Sequence, residues 1–279
     1  MLPNFLIIGA PKAGTTSLHA YVDRHPEVHM SDPKELYFFD DPDYESRREW
    51  YESHFETDAP LRGESTPHYA MYPFYEGVPE RIHKLIPEAK LVYLVRDPLE
   101  QVVSHCVQLY TNGYCADAGE LLADIEREDN PGICASRYAT QLQQYLTLFD
   151  REQLMVIDQR ALKTDRARTV ADVFRFLGAD PDLADVDFED ELNARVDKYE
   201  YTRTGEFLWS RVLSPVGRSV VPYPVRDRIR RRVTDSIPHR RVESPAVSDE
   251  LRGRLTVMLE PEIAWLRRFT GQDFATWQL

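Results

Sequence analysis

Cysteine is scarce. The 279-residue chain holds three, Cys106, Cys115 and Cys134, too few and too unevenly spaced for a disulfide scaffold or a zinc site. Long apolar runs are missing too. No stretch approaches the ~18 apolar residues of a membrane span, and the N-terminus passes through Pro3 and Asn4 into the short run Phe5 to Ile8 without a basic leader. These absences point to a cytoplasmic protein with no integral membrane segment. Positive charge is also short: 34 Lys and Arg stand against 47 Asp and Glu, a net charge of -13. A surface of that sign repels polyanions, so nucleic acid is not expected as a partner. Any anionic ligand has to be held by a local pocket.

Hydrophobic residues make up 42% and aromatics 11% of the chain, enough for a sizeable core. Short apolar runs alternate with amphipathic stretches, the pattern of an α/β fold with a parallel sheet covered by helices. Strands are predicted at Phe5 to Ile8, Leu91 to Val95 and Leu154 to Ile157, with a weaker one at Arg62 to Ser65. Helical spacing links Tyr138, Leu142, Tyr145, Leu146 and Phe149, and again Val170, Val173, Phe174 and Leu177 before the stop signal Gly178. A last helix runs from a Ser248 cap to Gly271. Prolines 215, 222, 224, 238 and 245 interrupt the pattern between about 180 and 245. With no repeat or linker-like tract, residues 1–279 read as one domain carrying that stretch as an insertion of loops and short helices.

The most informative stretch is F-L-I-I-G-A-P-K-A-G-T-T-S, Phe5 to Ser17. It reads strand, glycine loop, helix. Backbone N–H groups of such a loop, with the positive end of the following helix, bind phosphate oxygens. Gly9 and Gly14 let the backbone turn, and Thr15, Thr16 and Ser17 add hydroxyl donors. The nucleotide-triphosphate loop G-x-x-x-x-G-K-[ST] is nearly matched, but Thr15 follows Gly14 and the lysine lies inside the loop as Lys12. There it sits where negative charge builds up during group transfer. A second stretch, L-V-Y-L-V-R-D-P-L-E-Q-V-V-S, puts Arg96 at the end of a buried strand, where α/β ligand sites open. Pro98 starts a helix that carries Ser104 two turns along. An arginine fork and a hydroxyl converging from two elements suit one further phosphate.

These residues resemble the sulfotransferases that use 3'-phosphoadenosine 5'-phosphosulfate (PAPS), in particular the branch of heparan sulfate sulfotransferases and their bacterial relatives. G-A-P-K-A-G-T-T-S, Gly9 to Ser17, is similar to the family's 5'-phosphosulfate loop, and L-V-R-D-P-L-E-Q-V-V-S, Leu94 to Ser104, to its 3'-phosphate motif. P-K-E-L-Y-F-F-D, Pro33 to Asp40, is similar to the segment that supplies the glutamate base. The stretches Tyr138 to Ile157 and Gly271 to Trp277 also look familial. His239-Arg240-Arg241 resembles a basic loop that closes over the 3'-phosphate side. One departure stands in G-E-S-T-P-H-Y, Gly63 to Tyr69: several glycosaminoglycan enzymes have a lysine where this chain has Ser65, which weighs against a heparan-type polymer as acceptor.

The resemblance implies a P-loop-like three-layer fold and transfer of a sulfuryl group from PAPS to an acceptor hydroxyl or amine of a saccharide, glycolipid or small metabolite, with adenosine 3',5'-bisphosphate as product. Lys12 would stabilise the leaving oxygen and Glu35 would take the acceptor proton. Lys12, Ala13, Gly14, Thr15, Thr16 and Ser17 would hold the 5' side, and Arg96, Ser104, Arg240 and Arg241 the 3'-phosphate. The run Tyr37-Phe38-Phe39 offers an apolar setting that would raise the basicity of Glu35. His68 and His105 are rival bases or acceptor contacts. A sulfuryl group carries less charge than a terminal phosphoryl group, so no metal site is expected. Two other readings are a P-loop kinase using ATP, with Asp158 as its magnesium-linked acid, and a nucleotide- or carbohydrate-binding module without chemistry. The arginines between Arg226 and Arg241 read mainly as a solvated face.

Overall fold

The computed structural model describes residues 1–111, 118–127, 130–184, 199–201, 239–241 and 247–278, with the backbone alone at 118, 199–201 and 239–241. Five parallel strands form a central sheet: β1 (Phe5–Gly9), β2 (Val28–Met30), β3 (Leu61–Ser65), β4 (Lys90–Val95) and β5 (Leu154–Asp158), in the order β2-β3-β1-β4-β5. Helices cover the sheet, giving the three-layer α/β architecture the sequence implies. β1 is buried throughout and β4 at every position but the first. A strand covered on both faces reads as a continuous apolar run, which is why these two are plain in the sequence. β2 has three residues and was not expected.

Chain order explains where ligands can bind. From β1 the chain crosses to the edge strand β2, returns through β3 to lie beside β1, then passes to the other side of β1 as β4. The strand order therefore reverses at β1, and the crevice beyond the carboxyl ends of β1 and β4 is the topological switch point. The loop leaving β1 and the segment leaving β4 both open there.

Around the sheet run α1 (Thr15–Val22), α2 (Arg48–Ser53), α3 (Val78–Leu85), α4 (Pro98–Thr111), α5 (Ala118–Ala123), α6 (Pro131–Cys134), α7 (Tyr138–Leu146), α8 (Gln159–Thr164), α9 (Arg166–Leu177) and α10 (Asp249–Thr270). The Ser248 hydroxyl accepts from the Leu251 amide at 3.1 Å and caps α10, which ends on left-handed Gly271. The Asp97 carboxylate caps α4 by accepting from the amides of Leu99 and Glu100, and its other oxygen accepts from Gln278 at 2.7 Å. This ties the C-terminal segment to the start of α4. A second apolar cluster, with Leu99, Val102, Cys106, Ile125, Leu255 and Leu259, packs α4 against α10. Each such side chain stabilises the packing by ~1.5–3 kcal/mol. Cys106 and Cys134 are buried thiols; Cys115 lies outside the described residues. Short strands β6 (Tyr199–Tyr201) and β7 (His239–Arg241) pair antiparallel. Among the described residues no helix is long and apolar enough to cross a membrane.

Candidate active site

The loop Ala10 to Gly14 joins β1 to α1, which begins at Thr15. Gly14 has φ 98°, in the left-handed region where a side chain is strained, and it forms the N-cap of α1. Gly9 is needed for a different reason: a Cβ there would lie 2.9 Å from the Tyr93 ring and 3.0 Å from the Ala70 methyl. The first amides of α1 have no carbonyl one turn back to bond, so they remain available at the positive end of the helix. Thr15 is buried, Thr16 exposed and Ser17 between the two.

Long-range contacts fix this loop to the switch point. The Arg96 guanidinium, reached through β4, donates to the Lys12 carbonyl at 3.2 Å, and the Gln159 amide donates to the same oxygen at 3.3 Å. Gln101 on α4 is fully buried and donates to the Pro11 carbonyl. One turn pair further along, the Gln108 side-chain oxygen accepts from the Lys12 ammonium at 3.0 Å. Ser104 lies between these glutamines on one face of the helix, so α4 presents Gln101, Ser104 and Gln108 to the loop side. The two sequence motifs therefore meet in space, as their coupling requires.

Arg96 is held by its own main chain. The Tyr138 hydroxyl donates to the Arg96 carbonyl at 2.8 Å and accepts from the Arg96 amide at 3.3 Å. The sequence marks Tyr138 only as a core residue; this second task had no signal. The Arg96 side chain pairs with Glu100, one turn along α4, while its Nε is buried with no hydrogen-bond partner among the described residues. Burial, followed by repulsion from Arg96, lowers the Lys12 ammonium from its ordinary pKa.

Glu35 approaches from the segment after β2. Its neighbour Lys34 donates to the Glu35 carboxylate at 2.7 Å and reaches the Thr15 hydroxyl at 3.4 Å. The Tyr37 hydroxyl donates to the other carboxylate oxygen. The expected rise in basicity is not found. Burial pushes the Glu35 carboxyl up, but the Lys34 charge and hydrogen bond, with the Tyr37 bond, outweigh it and leave the group below its ordinary pKa. The pair is partly sheltered, at 17% and 31% exposure, so the Lys34-Glu35 dipeptide is not a solvated surface pair. Lys34 itself is lowered, chiefly by burial and against the pull of Glu35. His19, behind it on α1, is pushed down to about 4 by burial and then by the Lys34 charge, and stays neutral.

His68 lies near this carboxylate. Its Nδ1 is 3.2 Å from Asp40, its ring meets Tyr37 edge-on at 4.9 Å, and it stacks on Tyr75 at 4.8 Å. His105 is buried on α4, on the face that carries Gln101 and Gln108. Ser65 is fully buried at the end of β3. Arg240 and Arg241 lie on β7, with side chains outside the described residues, as is the stretch 226–238. Asp158 does not stand as a metal-linked acid: its carboxylate caps α8 by accepting from the Arg160 amide at 2.9 Å.

A family model described as "Sulfotransferase domain" matches residues 2–210. The chain is 28% identical over 203 residues to the bifunctional heparan sulfate N-deacetylase/N-sulfotransferase 2 of Homo sapiens, covering 65% of this chain and 22% of that protein. It is 38% identical over 108 residues to the membrane-associated sulfotransferase kil1 of Dictyostelium discoideum, covering 37% of this chain and 22% of the relative. The chain thus spans about a fifth of the length of the curated relatives it matches. Among solved structures, a sulfotransferase from Alicyclobacillus acidocaldarius shares the fold over 100% of both chains, with a TM-score of 0.67 at 22% identity.

Proposed function

The chain belongs to the sulfotransferase domain family, and on that premise we propose that it moves a sulfuryl group from PAPS to a hydroxyl or amine of a saccharide-type acceptor, releasing adenosine 3',5'-bisphosphate. The observation that carries the reading is the 3.2 Å bond from Arg96 to the Lys12 carbonyl. It brings a strand-end arginine and a glycine loop, 84 residues apart in sequence, to one crevice. Two anion-binding elements opening on one crevice suit a nucleotide phosphorylated at both 3' and 5' positions. The donor set fits such a ligand: the α1 amides, Thr15, Thr16, Ser17, Lys12 and Ser104 can donate, and the buried Arg96 Nε has no partner among the described residues.

PAPS supplies, when bound, a sulfuryl group on a good leaving phosphate. Lys12 through Ser17, including the Gly14 amide, would hold its 5' side, with the Ala13 amide donating to the Ala10 carbonyl at 3.1 Å to shape the loop; Arg96 and Ser104, with Arg240 and Arg241 from β7, would hold its 3'-phosphate. The Lys12 ammonium stabilises charge on the leaving oxygen. Glu35, deprotonated beside Lys34, receives the proton of the acceptor hydroxyl or amine. Lys34 adds a second positive charge next to Thr15, a contribution with no counterpart among the expected roles. His68 and His105 are kept as acceptor-side groups. The kinase reading has no support: Thr15 stands where the phosphate lysine is needed, and Asp158 is spent on a helix cap.

A thermal-shift series with adenosine 3',5'-bisphosphate, AMP, ADP and ATP tests the cofactor class, because a ligand that binds only the folded chain raises its melting temperature. Stabilisation by the bisphosphate alone is expected. Stabilisation by ATP with magnesium, and none by the bisphosphate, would sink the proposal. Transfer abolished in Glu35→Gln, with bisphosphate binding kept, separates an enzyme from a binding module.

A further inference from the structure

We propose that the cavity between α3, α7 and the turn Pro67–Ala70 is the acceptor subsite, and that it takes an uncharged sugar ring. This rests on the transferase reading and adds the acceptor class to it. The cavity has a volume of about 330 Å³, within the range of small-ligand sites, ~300–1,000 Å³. Four tyrosines line it: Tyr69, Tyr72, Tyr75 and Tyr145. The structure spends other bonds on keeping it open. Gln141 exchanges hydrogen bonds with the Tyr72 main chain at 2.7 and 2.8 Å, and the Tyr145 hydroxyl donates to the Tyr69 carbonyl at 2.7 Å.

Charge selects the ligand. The ionisable lining groups besides the tyrosines are Glu76 and Glu80, and no Lys, Arg or His lines the cavity. Arg81 lies behind this wall with its guanidinium donating to the Phe39 and Glu76 carbonyls, so the charge that faces the cavity is that of the two carboxylates, which repel a uronate or a sulfated sugar. Tyr69 and Tyr145 are buried in the wall, whereas Tyr72 and Tyr75 keep surface that can pack against the C–H face of a pyranose, and Gln144 and the two carboxylates match its hydroxyls. A small organic cation would be served by the acids and by the tyrosine faces, but it has no row of hydroxyls for Gln144 and both carboxylates to bond along a ring.

The position relates the cavity to the chemistry. Tyr75 on its wall stacks on His68 at 4.8 Å, His68 meets Tyr37 at 4.9 Å, and the Tyr37 hydroxyl donates to Glu35. A continuous row of rings therefore leads from the cavity to the base. Tyr37 keeps 40% of its surface and the His68 side chain 38% in solvent, so the row is open to a ligand lying along it.

The test uses the full chain saturated with adenosine 3',5'-bisphosphate. Saturation-transfer NMR is recorded with cellobiose, lactose, maltose and chitobiose, with an unsulfated heparosan tetrasaccharide, and with glucosamine. The uncharged disaccharides are expected to give the strongest signal, the tetrasaccharide little, and glucosamine, a single ring whose ammonium the acids accept, less than the disaccharides. Tyr75→Ala and Gln144→Ala should each weaken disaccharide binding about tenfold while the bisphosphate thermal shift is kept. Glu76→Lys with Glu80→Lys should admit the tetrasaccharide. Preferential binding of the tetrasaccharide or of glucosamine to the natural chain, silence from all four uncharged sugars, or indifference to both single variants would overturn the inference. Those results leave the transferase reading standing if the bisphosphate still stabilises the chain; loss of that stabilisation strikes the transferase reading instead.

Discussion

The Lys34 ammonium lies 2.7 Å from the carboxylate of Glu35, the residue that follows it. Adjacent side chains rarely fold back on one another at the surface, where such a pair contributes little. Here partial burial raises its weight, and the pair holds Glu35 in the charged form that a base requires.

A pH profile should expose this. Protonation of Glu35 removes the base, so turnover falls as pH drops through its pKa; a carboxyl held below its ordinary value places that acid limb low. In Lys34→Met the largest lowering cause is gone and burial works unopposed except by Tyr37 and His68. The acid limb of kcat should move upward. An unmoved limb would show that the base is another group.

Arg96 offers a second test. Its pairing with Glu100 competes with any phosphate that it is to hold. Glu100 is half exposed, so the pair is worth ~0.2–1 kcal/mol. Glu100→Gln should accordingly tighten adenosine 3',5'-bisphosphate by up to about fivefold. Arg96→Lys loses the planar fork and should weaken it by about tenfold or more. Calorimetric titration reads both, and equal affinities across the three proteins would remove Arg96 from the site.

Tyr138 separates support from contact. Tyr138→Phe leaves the ring in place but strips the bonds from the Arg96 amide and carbonyl. Unsatisfied buried main-chain groups cost ~1–3 kcal/mol. The unfolding free energy from urea titration should drop by about that amount, and bisphosphate affinity should fall with it in protein that is still folded. A stability loss with unchanged affinity would limit the tyrosine to packing.

The parts of this site that the sequence makes legible are those on contiguous motifs. Lys12, Gly14, Thr15 and Arg96 each sit where a buried apolar strand runs out, and strand, loop and helix follow in one readable order. Gln101 and Lys34 lie inside such motifs with no task that the motif announces, and Gln108 lies beyond them. They are residue types at home on any surface, and only the approach of α4 to the loop buries Gln101 completely. The same holds for the sheet. β1, β4 and β5 read as unbroken apolar runs, whereas β2 has two inward residues, Val28 and Met30, around His29, too few for periodicity to register. The basicity of Glu35 was misread because a composition of neighbours says nothing of where the Lys34 charge points.

Glu64 extends the pH argument from activity to stability. It lies on β3 opposite Leu6 and is wholly buried. The hydroxyls of Tyr69, Tyr51 and Thr66 lean toward it without closing an ordinary hydrogen bond. Burial raises its pKa from 4.5 to about 8, against the pull of those hydroxyls. Below pH 4.5 both folded and unfolded chains hold the proton and no penalty applies. Between 4.5 and 8 the unfolded chain releases the proton while the folded chain keeps it, so stability falls as pH rises, by at most ~1.4 kcal/mol per unit. Above 8 both have released it and the loss levels off. Glu64→Gln keeps the shape and abolishes the titration. Urea unfolding of the natural chain should therefore weaken by a few kcal/mol from pH 5 to pH 8 relative to the variant, and parallel curves for the two proteins would mean that Glu64 is charged in the fold.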